Sequence, residues 1–587
     1  NLPTYAPPNI RDAKTYRFTT LPRRIKADNQ KTGFRLAREG ELTDKDGHPA
    51  QLYSLCDSSA VLDEFGIGIA LYFKAVKFLF FVFLACAAIS LVSIYENEKS
   101  NPDEDDADLF QSVFNSTIDE TSITLIGSTY GATRDSLKYN KQAAADISCV
   151  VILVVALVLT SMFGEKDVVE AIDAAQQTTQ DYSVVVDNPP ESITDPKVYF
   201  DHFSAFGEVV MVTISKNNGD LLQALAEKRV LAAELERKQQ FPSEDPPGWQ
   251  RSLGLAHTVD DLKEKLVLLQ NKIDGLSRKD YIPWKVFVTY NTETGQRNCL
   301  DRASTGMWAR RTGIGIPNEA IIKGTPLNLR ESPEPTDVIY EHSHMPRWKR
   351  LLLFCVSYGV CGLMMLAAYF IIEALSKDGE IAAAIFIALC NAAMPTTLKM
   401  LTVNVEAHDT QTSLQQSMLF KLVLARCLVA AVLFYIATPY AESFENSRLQ
   451  QIQNILIADA LTAPLIRLCD FYGYFMRYVY GPRVSVTQDQ LNTFWKGTDL
   501  TLAERYTDVL KTCFVGLFFA VPLPSGLFIT AFAMASTYFV DKFSLFRIWR
   551  RQAMLNATMG KFSRYFLVLC VWVHLQISRI YFANWPY

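Results

Sequence analysis

Hydrophobic and polar positions segregate along this chain into long apolar blocks around one long mixed block. Nine stretches are apolar and close to the roughly 20 residues a helix needs to cross a bilayer. They run over about 66–95, 147–164, 349–375, 381–403, 418–440, 452–479, 505–522, 525–541 and 564–583. The seventh and eighth read as a hairpin broken by Pro522, Pro524 and Gly526. Residues 165–346 lack such a run. There the pattern predicts a strand at 182–187, a helix at 196–206, strands at 209–215 and 285–290, a helix at 295–304 and an edge near 327–329. That order, β-α-β-β-α-β, is a split βαβ sandwich. A helical hairpin interrupts it. Leu221, Leu225, Ala232 and Leu235 line the first arm, and Leu262, Leu266, Leu269, Ile273 and Leu276 line the second at spacings of four and three. This spacing predicts a coiled-coil-like seam, with the turn at Pro242, Pro246, Pro247 and Gly248.

The fold class expected is therefore a polytopic α-helical membrane protein with a soluble split-βαβ domain. The divisions are an N-terminal segment 1–65, two spans in 66–164 enclosing the loop 96–146, the soluble domain 165–346, and a seven-span bundle 347–587. A composition of 49% hydrophobic and 20% charged residues favours this over several soluble domains, and a net charge of −5 argues against nucleic-acid binding by the chain as a whole. The segment 542–564 holds Lys542, Arg547, Arg550, Arg551, Lys561 and Arg564 with no acid, and Arg347, Lys349 and Arg350 precede the third span. Excess Lys and Arg marks the cytoplasmic side. The N-terminus and 165–346 are then inside, at the plasma membrane or an endomembrane, and 96–146 outside. That loop is acidic and carries Asn115-Ser116-Thr117, which makes Asn115 a glycosylation candidate. The sequon Asn556-Ala557-Thr558 falls inside and should stay silent. Eleven scattered cysteines, with no CxxC pair and none in the outer loop, imply no disulfide framework. The N-terminal stretch is polar and starts without Met, so an internal start is expected.

Motifs for chemistry are few. His342 and His344 have no cysteine partners, Gly66-Ile67-Gly68 lacks a third glycine, and neither a phosphate loop nor a GxSxG elbow occurs. No enzyme, cofactor or metal is expected. The strand Val286-Phe287-Val288-Thr289-Tyr290 is reminiscent of the aromatic strand of RNA-binding domains, but it lacks the basic-Gly-aromatic-Gly part and faces Ser183-Val184-Val185-Val186, which has no aromatic. A scaffold role is expected instead, with no nucleic acid.

The informative residues are charges inside the apolar spans, where an ionisable group costs several kcal/mol and usually faces a bundle interior or water. At about 100° per residue, Lys399 and Glu406 differ by only about 20° and share a face with Asn391, Pro395 and Thr402. Asp459 and Asp470 likewise differ by about 20°, with Arg467 and Tyr474 nearby, and lie about 16 Å apart along a helix, which suits two stations of a path. Glu504, Asp508 and Lys511 mark the cytoplasmic start of a third helix. Pro395 and Pro464 free backbone carbonyls within their spans. A polar path is expected. The plainer alternative has Lys399, Arg426 and Arg467 pairing with Glu373, Asp459 and Asp470 to glue helices together.

Two spans, a split-βαβ domain with a hairpin insert, then a large bundle resembles the OSCA/CSC-type calcium-permeable stress-gated cation channels, relatives of the anoctamins and transmembrane channel-like proteins. The resemblance is carried over about 180–545 by Gly248-Trp249 before Thr258-Val259-Asp260, the strand Lys285-Val286-Phe287-Val288-Thr289-Tyr290, the run Glu331-Ser332-Pro333-Glu334-Pro335-Thr336-Asp337-Val338-Ile339-Tyr340, and the 506–524 hairpin. Phe65-Gly66-Ile67-Gly68 through Tyr72-Phe73 is closer to the first span of transmembrane channel-like proteins. The resemblance implies ten or eleven spans, an RRM-like cytoplasmic domain, a homodimer in membrane lipid, and a mechanically or osmotically gated cation pore. The pore-lining residues it implies are Asn391, Pro395, Lys399, Thr402, Glu406, Asp459, Arg467, Asp470, Tyr474, Glu504, Asp508 and Lys511. Pro464 and Gly473 stand where that family has a glycine hinge. A phospholipid scramblase using the same groove and a non-conducting subunit of a larger membrane assembly remain as alternatives.

Overall fold

The computed structural model describes residues 8–26, 34–37, 41–43, 49–98, 136–161, 179–240, 258–312, 314–343, 345–378, 380–429, 446–485, 487–498, 500–550 and 557–583. Asn115 and the 242–248 turn lie outside them.

The N-terminal segment is an ordered plate. Helix α1 (Ile10–Thr20) is capped by the Asn9 side chain. Strand β1 (Arg23–Lys26) pairs antiparallel with β2 (Phe34–Leu36) and β3 (Gln51–Leu52). The plate docks through Tyr53, whose ring stacks on Phe546 at 5.3 Å, while Arg547 Nη2 donates to the Tyr53 carbonyl at 2.7 Å. Helix α2 (Ile67–Glu98) follows and packs along α3 (Ser136–Leu159), where Cys149 Sγ approaches the Cys86 carbonyl at 3.4 Å.

The sheet unit is built on β4 (Ser183–Val186), α4 (Pro196–Phe203), β5 (Val209–Lys216), α5 (Gly219–Gln240), α6 (Val259–Ser277), β6 (Pro283–Tyr290), α7 (Glu293–Ala303) and β7 (Leu329–Glu331). Local chemistry starts the helices: Asp195 caps α4 ahead of a first-turn proline, Thr258 and Asp261 form a capping box on α6, and Thr292 caps α7. The sheet order is β5-β6-β4-β7, all neighbours antiparallel, so β4 and β5 run parallel with β6 between them. The Val-rich β4 is buried on both faces, as expected of an interior strand. Val184, Val186, Val286 and Val288 pack with Tyr199 and Phe203 of α4. The last strand sits two residues later than the pattern predicts.

The hairpin of α5 and α6 forms with a different seam on its first arm. Ala224 is buried against Leu269, Ile273 and Leu276, with Leu221 and Leu231 beside it. Leu225 is exposed instead. The small side chain of Ala224 at the seam lets the two arms close on Leu269, Ile273 and Leu276.

His202, near the end of α4, donates from Nε2 to the Glu319 carbonyl at 3.0 Å, and burial lowers its pKa from the usual imidazole value. The fold then favours the neutral ring. Stability is full above the unfolded value of about 6.5 and is lost as pH falls below it. Thermal unfolding of the sheet unit should therefore drop between about pH 7 and 5, and His202→Gln should flatten that slope.

The remaining helices form the bundle: α8 (Arg347–Asp378), α9 (Glu380–Val405), α10 (Gln411–Cys427), α11 (Asn446–Cys469), α12 (Gln488–Trp495), α13 (Leu502–Phe518), α14 (Gly526–Arg547) and α15 (Thr558–Ala583). Helix α13 is central and largely buried, in contact with α10, α11, α14 and α15. Gly516 lets α14 approach closely, since a Cβ there would lie 2.2 Å from Thr530 Oγ1. Four described helices are long and apolar enough to cross a membrane: Ile67–Glu96, Asn140–Leu159, Trp348–Ile371 and Thr558–Phe582. The protein is thus a mostly helical chain compatible with a membrane location. Helices α10 and α13 are only 17 residues each, and α14 carries Asp541 and Lys542, so the apolar signal of these elements is diluted by the charges they hold.

Candidate functional site

The charged stripes meet on α13. Glu504, Asp508 and Lys511 recur at spacings of four and three and so share one face of that helix, over about 10 Å of its length. A different helix closes each position. Lys399 Nζ of α9 lies 3.0 Å from Glu504 and 3.2 Å from Thr501 Oγ1. Arg426 of α10 pairs with Asp508, and Asp459 of α11 accepts from Lys511 Nζ at 2.8 Å. These rungs are partly open: the Lys399 side chain is 42% exposed and Asp459 26%.

Behind the rungs the network goes deep. Asp541 of α14 is fully buried, accepting from Arg467 Nη1 at 2.9 Å and from the Tyr72 hydroxyl at 2.5 Å. Arg467 also lies 3.7 Å from Asp508, and Arg505 lies 3.5 Å from it. The carboxylates Glu504, Asp508, Asp541 and Asp459 face the cations Lys399, Arg426, Arg467, Arg505 and Lys511. This set holds one more cation than carboxylates.

A second buried cluster joins the bundle to the sheet unit. Glu406, just past α9, pairs with Lys421 of α10, both essentially inaccessible. Lys421 also donates to Ser357 Oγ at 2.8 Å and Thr402 Oγ1 at 3.3 Å. The second Glu406 oxygen accepts from Ser417 at 2.7 Å and from His408 Nε2 at 2.8 Å. A neutral His408 protonated on Nε2 satisfies both of its contacts, Nδ1 accepting from Ser413 Oγ at 2.9 Å. The neighbouring Asp409 pairs with Arg350 and lies 3.5 Å from Lys285 of β6. Burial lowers the Lys285 pKa, while Asp409 and Asp187 act against it. Asp337 accepts from the Thr412 amide at 2.7 Å, capping the loop that enters α10; burial raises its pKa and these hydrogen bonds oppose the rise. Lys285 and Val185 on this sheet face are buried, while Met211 of the outer strand β5 on the same face is exposed.

Beyond Cys469 the helical ladder breaks. Asp470 is left-handed (φ 43°, ψ 44°), and residues 476–480 form a π-helical turn. Arg477 Nη2 reaches back to Asp470 at 2.5 Å. Gly473 permits this, because a Cβ there would sit 2.4 Å from the Asp470 carboxylate.

Several expectations change. Glu504, Asp508, Lys511, Lys399 and Asp459 do come together. Glu406 and Thr402 belong to the Lys421 cluster, so the Lys399 face serves two separate neighbours. Asp459 and Asp470 are not two stations with Arg467 between them: Arg467 turns to α14, and Asp470 pairs beyond the break. Tyr474 points outward, its ring 4.6 Å from that of Tyr478. Helix α11 runs through Pro464, so the interruption is at Asp470, with Gly473 making room for it. Helix α9 likewise runs through Pro395. The side chains of Asn391 and Glu373 lie outside the described residues. Among the described residues the partners of Lys399, Arg426 and Arg467 are Glu504, Asp508 and Asp541, while Asp459 and Asp470 pair with Lys511 and Arg477. Sequence reasoning missed Asp541, Lys421, Arg505 and Tyr72. Lys421 had a signal, a lone cation flanked by apolar residues in Met418-Leu419-Phe420-Lys421-Leu422-Val423.

No family model matches the chain, and no curated protein matches it.

Proposed function

We propose that the protein is a mechanically or osmotically gated cation channel, of the OSCA/CSC type, held in a closed arrangement. The observation that carries this reading is the row Glu504, Asp508 and Lys511 on α13, closed by partners from three different helices and left partly open. Breaking one side of an enclosed pair such as Glu406–Lys421 strands a buried charge, whereas a partly exposed pair such as Lys399–Glu504 contributes about 1 kcal/mol or less. Rungs of that strength can open at low cost. Withdrawal of Lys399 and Arg426 leaves Glu504, Asp508, Asp541 and Asp459 facing only Arg467, Arg505 and Lys511, and a row with a net negative charge concentrates cations. In this reading nine helices span the membrane, the sheet unit is an RRM-like cytoplasmic domain and takes no nucleic acid, and the protein is a homodimer. The Asp337–Thr412 and Lys285–Asp409 contacts carry displacement of the domain to α9 and α10.

A scramblase is the second reading, favoured by the 42% exposure of the Lys399 side chain at the flank of the row. The test is current and lipid transfer in proteoliposomes under applied tension. A channel gives tension-dependent cation current. Lys399→Gln removes one partly exposed pair and should shift the opening equilibrium about two- to fivefold towards open, and Asp508→Asn should lower cation selectivity. Lipid transfer without current would establish the scramblase. Neither activity would leave an ion-paired subunit of a larger assembly.

A further inference from the structure

Two apolar clefts flank the first turns of α2. One, of about 220 Å³, lies among α2, α3, α13 and α15 and is lined by Leu71, Leu79, Leu157 and Leu567. The other, of about 250 Å³, lies between α2 and α14 and is lined by Ala70, Phe73, Phe81 and Tyr538. They share Lys74 and Phe78, which stand one helical turn apart. These two side chains form the ridge that separates the clefts. Cations gather at the mouth. Arg564 lines the first cleft and Lys77 the second, while Lys74 is held 2.9 Å from Asp63 and stays partly exposed.

Depth places this mouth at a membrane surface. The Ile67–Glu96 stretch has 30 residues. At 1.5 Å per residue that is about 45 Å, against roughly 30 Å of hydrocarbon, so some 7–8 Å projects at each end when it is centred. Lys74 lies about 10 Å from the start of α2, and Arg564 about 9 Å from the start of α15. Both belong near the boundary between hydrocarbon and headgroups, within snorkelling reach of it.

We infer that this is a binding site for one anionic phospholipid, with its two acyl chains in the two clefts, astride the Lys74–Phe78 ridge, and its phosphate between Lys74 and Arg564. Apolar clefts alone accept any hydrocarbon; the cations at their shared mouth select a negative headgroup. The inference rests on α2, α3 and α15 spanning a membrane and is independent of whether the protein conducts ions.

The test is native mass spectrometry of the purified full chain with phosphatidylglycerol and phosphatidylcholine of identical acyl chains. One phosphatidylglycerol should be retained per chain, in preference to phosphatidylcholine. Lys74→Gln with Arg564→Gln should reduce that preference by about fivefold for each charge removed. Ala75→Phe, which fills the first cleft, should weaken both lipids alike and keep the preference. Equal retention of the two lipids by the wild type would overturn the proposal, as would an unchanged preference in the double variant. Glycerol phosphate, which has no acyl chains, should fail to displace the bound lipid. Displacement by it at matched concentration would also overturn the proposal, on the wild type alone.

Discussion

Lys421→Met should destabilise the bundle by about 3–5 kcal/mol, among the largest effects of any single change. The substitution keeps the length and the apolar stem but removes the ammonium opposite Glu406. Glu406 would then be a buried carboxylate with only Ser417 and His408 to satisfy it. Glu406→Gln alone should cost a comparable amount, since it strands the Lys421 cation. The double variant should recover most of the loss, because a buried pair replaced on both sides sheds its desolvation penalty along with its attraction. Thermal unfolding in detergent, with all three variants in one double-mutant cycle, checks this. A double variant as unstable as the sum of the singles would mean that the pair contributes no coupling.

Asp541→Ala should be nearly as damaging, and Tyr72→Phe should not. Asp541 is the deepest acid of the bundle network, and both Arg467 and the Tyr72 hydroxyl are satisfied by it. Removing the carboxylate leaves Arg467 with Asp508 at 3.7 Å as its remaining anion, at a cost of about 3–5 kcal/mol. Removing the hydroxyl deletes one hydrogen bond to a charged group, about 1.5–3 kcal/mol. Unfolding of the two variants side by side ranks them. Equal losses would mean that the hydroxyl, not the ion pair, anchors Asp541.

The helical periods were legible because spacings of three and four survive whatever surrounds a helix. Glu504, Asp508 and Lys511 could be put on one face from their numbers alone, and so could Lys399 and Glu406. Their partners could not. A face some 10 Å long touches more than one neighbour, and which neighbour lies where depends on how the helices stack. The Lys399 stem reaches α13, while Glu406, seven residues on, meets α10. Wheel arithmetic also fails across a break: the left-handed turn at Asp470 puts Tyr474 on the outside, although a continuous helix would turn it inward. Asp541 was overlooked because a charge near the end of an apolar run looks like a boundary. In the structure α14 continues to Arg547, and the N-terminal plate covers that end through Tyr53.

By itself the sequence determined the mostly helical character, the order of strands and helices along 182–329 and the presence of charges within apolar helices. These follow from backbone periodicity, capping residues and hydropathy, which act over a few neighbouring positions. Only the tertiary structure decided which charges neutralise one another, which of them stay open to solvent, and where the helix ladder breaks. Those outcomes depend on distances between segments far apart in the chain, and a Coulomb attraction that falls with distance and burial is settled only once the helices are in place.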